Sequence, residues 1–202
     1  MLRIGVTGLM ASGKTDVARR FAERGARVID GDALGWEALR EPEVRERIGA
    51  LFGPTVLLPD GNVDRSALGR IVFKNASELA RLNAVVQPPL ERRVREALGA
   101  AVGEAVLVLD AALLGAWHLV SELDGVVEVV APAEARTARL AALKGFSETE
   151  ARERIGGQRL PDVVGARRRW RIENAGTREE LLKRADEIWD EIERLRSGAR
   201  NG

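Results

Sequence analysis

The chain of 202 residues contains no cysteine. Disulfides, thiol nucleophiles and cysteine-based metal sites are therefore excluded. Histidine is almost as scarce, with His118 the sole copy. That removes histidine-cluster zinc sites and leaves a Ser-His-Asp triad without support. His118 and its neighbour Trp117 are read as packing or surface residues. No apolar run approaches the roughly 18 residues needed to span a bilayer. The N-terminus opens directly into an apolar strand, without the charged leader of a signal peptide. Lysine occurs only at Lys14, Lys74, Lys144 and Lys183, so arginine carries most of the positive charge. The formal net charge is only +1, too little to draw the chain to nucleic acid or an anionic membrane. A hydrophobic content of 45% with 31% charged residues describes a soluble globular protein. The expectation is a cytoplasmic protein, monomeric or a weak homo-oligomer, with neither nucleic acid nor membrane as partner.

What is present begins with Gly8-Leu9-Met10-Ala11-Ser12-Gly13-Lys14-Thr15. It fits G-x-x-x-x-G-K-[ST], the loop whose backbone N–H groups cradle phosphates ahead of a helix. The short apolar stretch 3–7 precedes it, and a helical pattern from Lys14 to Arg24 follows, with Gly25 as stop signal. A chance glycine-rich turn would not be in register with both. Lys14 brings a point charge to the outer phosphates, and Thr15 offers a hydroxyl to Mg²⁺. The layout predicts binding of a nucleoside triphosphate.

Further strands are read at 27–30, 105–109, 125–130 and 170–172, with 105–109 a continuous apolar run of the kind buried on both faces of a parallel sheet. Helices are expected at 33–39, 42–52, 66–73, 76–86, 88–98, 133–144, 147–154 and 177–196. Pro88-Pro89 is expected to separate the fifth from the fourth of these. The segment 53–64, with Pro54, Pro59 and Asp60-Gly61, reads as a loop or short hairpin. Strands alternating with helices give a doubly wound, five-stranded parallel sheet flanked by helices. The stretch from Ala33 to about Ala100 is too long for one crossover and implies an inserted helical subdomain.

In such sheets ligands sit beyond the carboxyl ends of the strands, where the phosphate loop, Asp30, Asp32 and Asp110 all fall. One of Asp30 and Asp32 is a candidate general base for an acceptor hydroxyl; the alternative is a solvated turn or a helix N-cap. Asp110 is a candidate for the metal or its water shell, or a strand-ending cap. Arg136, Arg139, Arg152, Arg154, Arg159, Arg167, Arg168, Arg169 and Arg171 crowd the C-terminal third. Some could stabilise a transferring phosphoryl group from a lid; for any one of them a solvated face is the simpler reading.

Taken together, the chain resembles the dephospho-CoA kinase family over residues 3 to 192. The matching pieces include Thr7-Gly8…Ser12-Gly13-Lys14-Thr15, Val28-Ile29-Asp30-Gly31-Asp32, Phe52-Gly53 and Asp60-Gly61-Asn62-Val63-Asp64-Arg65…Leu68-Gly69…Val72-Phe73. Further matches are Leu109-Asp110 with Leu113-Leu114, Ala131-Pro132…Arg139-Leu140, Arg154-Ile155…Gln158 and Asn174-Ala175-Gly176. The resemblance implies a kinase fold with a core at 1–32, 101–140 and 170–196, a helical acceptor subdomain at 33–100, and a lid at about 140–168. It implies transfer of the γ-phosphoryl group of ATP, with Mg²⁺, to the ribose 3′-hydroxyl of dephospho-CoA. By that match Asp32 is the general base, with Lys14 and Arg139 beside it in catalysis. Gly8, Ala11, Ser12, Gly13, Lys14, Thr15 and Asp16 surround the nucleotide. Asp32, Arg65, Gln87 and Leu113 face the acceptor, and Thr15 and Asp110 serve the metal, the latter directly or through water.

The departures are also specific. Gln87-Pro88 stands where the family has His-Pro, and Ala112-Leu113-Leu114-Gly115-Ala116 replaces Pro-Leu-Leu-Phe-Glu. Leu143 replaces a lid arginine, with Lys144 adjacent as a substitute. Val164 replaces a lid lysine, and Arg168-Arg169 an Ala-Asp pair. Ala11 replaces a glycine, and Asp16 replaces a threonine near the α-phosphate, introducing a like charge. A kinase for dephospho-CoA, a paralogue with another hydroxyl acceptor, and a nucleotide-binding protein without turnover are the three readings left open.

Overall fold

The computed structural model describes every residue except Phe73, Lys74, Val102, Glu104, Gly145, Gly157 and 199–202. Phe73, and the side chains of Leu143 and Lys144 on which the lid substitution rests, lie outside the described residues. Two compact units are formed, one from Met1–Asp30 with Ala101–Gly202 and the other from Gly31–Ala100.

The first unit holds a five-stranded, wholly parallel sheet. In chain order its strands are β1 (Leu2–Thr7), β2 (Arg27–Asp30), β3 (Val106–Asp110), β4 (Gly125–Val130) and β5 (Arg169–Glu173). They lie in the spatial order β2-β3-β1-β4-β5. Every residue of β3 is buried, as its unbroken run of Val and Leu requires, whereas the edge strands β2 and β5 carry exposed charges at both ends. Helices α1 (Lys14–Glu23) and α8 (Arg178–Gly198) cover the sheet with Val17, Phe21, Leu181, Ala185, Ile188, Trp189 and Ile192, packed on Ile4, Val6, Val106 and Val127. Phe21 is fully buried with its ring centroid 5.4 Å from that of Trp189, and burial of such a side chain contributes roughly 1.5–3 kcal/mol. Outside this core Arg20 clamps Asp186 through two bonds of 2.9 Å, and Arg24 reaches Asp186 and Asp190. Thr177 and Glu180 cap α8 reciprocally.

The helical unit contains α2 (Gly31–Ala38), α3 (Pro42–Phe52), α4 (Arg65–Val72) and α5 (Ala76–Ala100). A single 3₁₀ turn at Pro54–Val56 and an antiparallel bridge between Leu57 and Val63 fill the segment before α4. Val44, Ile48, Val56, Val63, Leu68, Val72 and Val85 form the unit's own core. Asp64 caps α4 by accepting from the N–H groups of Ser66 and Ala67 at 2.9 and 3.0 Å. Glu41 receives Arg93 Nε at 2.6 Å and Arg92 Nη2 at 2.9 Å, tying the start of α3 to α5.

One expectation is overturned here. Residues 76–100 form one continuous helix with Pro88 and Pro89 inside it. Each interior proline costs about 3 kcal/mol. Val85, Leu90, Val94 and Leu98 are all buried along α5, and at roughly 1.5–3 kcal/mol apiece their burial outweighs that cost. Asp32 lies in the first turn of α2, beyond the end of β2. No helix among the described residues is long and apolar enough to cross a membrane.

Candidate active site

The loop between β1 and α1 is shaped by backbone geometry more than by side chains. Gly13 takes φ +100° as it enters α1, and a Cβ there would strike the Asn174 amide and the Leu181 side chain. No side chain caps α1, which leaves the first-turn N–H groups of the helix available to an anion. Thr7 at the end of β1 donates its hydroxyl to the Ala112 carbonyl at 3.1 Å, joining the strand to the segment after β3. Inside the loop the Ser12 Oγ is buried and has no hydrogen-bond partner. A buried hydroxyl left this way is costly unless a ligand satisfies it, and a phosphate oxygen on this loop would do so.

Lys14 donates to Asp110 Oδ1 at 2.8 Å. The pairing follows from the sheet, because Asp110 ends β3 opposite Val6 of β1 and opposite Asp30 of β2. Both side chains are largely out of solvent, so the ammonium is held in one place rather than searching for it. Thr15 is exposed in the first turn of α1.

Ala11 stands where glycine was expected, at φ 60°. A left-handed alanine costs about 1–2 kcal/mol. Part of this is offset because its methyl packs on the cluster of Leu140, Ala151 and Ile155, which belong to α6 (Ala133–Lys144) and α7 (Glu148–Ile155). The Ala11 carbonyl also accepts from Arg139 Nη1 at 3.4 Å. The other arm of Arg139 donates to the Asn174 carbonyl and side-chain oxygen, each at 3.0 Å, and to the Gly176 carbonyl at 3.3 Å. Asn174 is only 5% exposed, and its Nδ2 donates 2.8 Å to the Ser12 carbonyl. This asparagine therefore clasps the phosphate loop, α6 and the end of β5 together. The sequence matches Asn174 to a motif without giving it a role; its local signal is a polar residue directly after a strand that ends at the ligand side of the sheet.

Asp16 carries the charge expected to repel an α-phosphate. It is matched by Arg178 at the start of α8, whose Nη2 and Nε donate to Asp16 Oδ1 at 3.0 and 3.1 Å, with Arg19 at 3.5 Å. The carboxylate is thus offset by two guanidinium groups. Among the remaining candidates Leu113 is half exposed, just after the strand end that carries Asp110. Trp117 is buried and His118 exposed, in keeping with packing and surface roles. Ser12, Gly13, Lys14 and Asp110 come together in the sheet-bearing unit, with Ala11, Arg139 and Asn174 beside them. Asp32, Arg65 and Gln87 belong to the helical unit. There the Arg65 guanidinium lies 2.9 Å over the exposed ring of Trp36, and partial burial together with Arg40 lowers its pKa from the ordinary value.

Known proteins with this architecture share its sequence as well. The family profile of dephospho-CoA kinase matches residues 2–181. A dephospho-CoA kinase of Thermobifida fusca is 40% identical over 196 residues, covering 96% of this chain and 98% of that protein. The crystal structure of TT1252 from Thermus thermophilus superposes with a TM-score of 0.74 at 33% identity, covering 94% of this chain and 97% of that one. The dephospho-CoA kinase of Campylobacter jejuni shares the fold, with a TM-score of 0.57 at 19% identity over 94% of this chain and 96% of that one. On this footing the chain belongs to the dephospho-CoA kinase family.

Proposed function

We propose that this chain transfers the γ-phosphoryl group of ATP to the ribose 3′-hydroxyl of dephospho-CoA. The observation that carries the donor half is the buried Lys14–Asp110 pair at 2.8 Å, set beside a loop whose buried Ser12 hydroxyl has no partner of its own. Such a site supplies fixed positive charge and unspent donors where a triphosphate would lie. The acceptor half rests on family membership.

In this reading Lys14 and the first-turn N–H groups of α1 hold the β- and γ-phosphates. Arg139, kept in place by Asn174, steadies the nucleotide from the lid side at about 140–168. The 3′-oxygen attacks the γ-phosphorus, the bond to the β–γ bridging oxygen breaks, and ADP leaves. Asp32 takes the proton of the attacking hydroxyl. Arg65, Gln87 and Leu113 face the acceptor. The exposed Thr15 hydroxyl and the Asp110 carboxylate are hard oxygen donors that suit Mg²⁺, directly or through water. The ion would supply charge neutralisation at the phosphates.

The reading without turnover draws on Asp16 and Leu143; of these, the Asp16 charge is offset by Arg178 and Arg19. A panel of dephospho-CoA, nucleosides and other alcohols, followed by ADP release with Mg²⁺-ATP, tests the proposal. Turnover with dephospho-CoA at roughly 1–100 s⁻¹ is expected. Turnover confined to another alcohol would replace the acceptor, and ATP binding without turnover on any of them would overturn the kinase.

A further inference from the structure

Four charged side chains are buried among the described residues: Glu91, Asp110, Glu128 and Arg136. Three of them face an opposite charge, Glu91 with Arg95 at 3.5 Å, Asp110 with Lys14 at 2.8 Å and Glu128 with Arg169 at 3.0 Å. Arg136 does not. It is 6% exposed, and no carboxylate among the described residues lies within ion-pair distance. Its one side-chain contact is a neutral one, Nη1 to Gln158 Oε1 at 3.1 Å, and its Nε is buried without a partner. A guanidinium taken out of water with neither counter-ion nor full hydrogen bonding is expensive, and burial accordingly lowers its pKa from the ordinary arginine value.

The surroundings indicate which anion would repay that cost. Strand β4 lies beside β1, with Thr7 opposite Glu128, so the chain leaves β4 for α6 next to the start of the phosphate loop. Arg136 and Arg139 are three residues apart and share a side of α6. Arg139 reaches the Ala11 carbonyl of the loop, and Leu140 packs in the cluster that takes the Ala11 methyl. Gln158 lies just beyond α7, on the segment that returns to β5. The carbonyls of Pro161 and Asp162 on that segment press against Gly115, five residues after Asp110.

We propose that Arg136 binds the outer phosphates of the nucleotide, with Gln158 holding its guanidinium in their absence. This makes it a second arginine on α6 in addition to Arg139, and the inference rests on the reading of the loop as a triphosphate site.

The test is calorimetric titration of AMP, ADP and ATP, with Mg²⁺, into the wild-type chain and the Arg136→Met and Arg136→Lys variants, alongside thermal melts. Loss of a charge-assisted contact of this kind weakens binding by about ten- to a hundred-fold. The expected penalty in Arg136→Met therefore grows from AMP to ATP, while Tm stays level or rises because an uncompensated charge has gone. Arg136→Lys should recover part of the ATP affinity. An equal penalty on all three nucleotides, or no penalty, would overturn the assignment; so would a fall in Tm with ATP affinity unchanged, which marks a purely structural arginine. The functional reading fails separately. A wild-type chain that shows the graded penalty but phosphorylates no alcohol keeps this inference and sinks the kinase. Full turnover with no Arg136 effect does the reverse.

Discussion

In the sheet-bearing unit Ser12, Asp110 and Asn174 are almost wholly buried, whereas in the helical unit Arg65 and Trp36 are exposed and Asp32 and Gln87 half-buried. The first group is positioned by strand ends, by backbone carbonyls and by one ion pair shielded from water. The second hangs from helices whose cross-links, Glu41 to Arg92 and Arg93, are surface ion pairs. Holding a triphosphate calls for donors that need not reorganise, and a buried frame provides them. Recognising an acceptor calls for side chains that can change without disturbing the sheet. Of the departures from the family pattern, Gln87 falls on that second side, whereas Ala11, Asp16 and the 112–116 segment belong to the sheet-bearing unit.

That contrast can be broken most forcefully at Asp32. Asp32→Asn is expected to lower kcat by about 10²- to 10⁴-fold while leaving the Kd for ATP within twofold, as stopped-flow turnover and calorimetry would show. A matching loss of ATP affinity would erase the division between the two units. Next in size, Lys14→Ala removes a fixed charge at the phosphates. It should cut kcat/KM by roughly 10²- to 10³-fold and weaken ATP binding in parallel. Asn174→Ala sharpens the comparison further, since it leaves Arg139 and the Ser12 carbonyl short of a buried partner at a cost of about 1–3 kcal/mol. The expected result is a lower Tm together with a raised KM for ATP and an unchanged KM for the acceptor.

The smallest effect concerns pH. The bonds from Arg20, and then from Arg24, hold the Asp186 carboxyl below the ordinary aspartate value despite partial burial. A carboxyl depressed in the folded state adds stability that is complete above its unfolded pKa and is lost as pH falls through the folded one. Asp186→Asn should therefore lower Tm at pH 7, and the gap from wild type should close as the pH drops into the acid range. A gap that persists at low pH would mean the residue acts by packing and not by charge.

Much of this was legible from local pattern. A continuous apolar run marks β3, the glycine-lysine loop lies between a strand and a helix, and Thr177 with Glu180 marks the start of α8. What escaped were contacts made across the chain. Pro88-Pro89 read as a break because local propensity cannot see the burial of Leu90, Val94 and Leu98 that keeps α5 whole. Asp16 read as a liability because Arg178 lies 162 positions away. Arg136 was one of nine arginines with no local mark, and only burial distinguishes it. Asn174 was visible as a motif, but its bond to the Ser12 carbonyl spans 162 positions as well.

A donor site framed by the sheet is expected to serve a single hydroxyl of dephospho-CoA. The most direct measurement is ³¹P NMR of the product formed from dephospho-CoA and Mg²⁺-ATP. One new phosphomonoester on the ribose 3′-oxygen, formed in equal amount with ADP, is the predicted result. ADP released without that ester, or the ester formed on a different oxygen, would contradict the account.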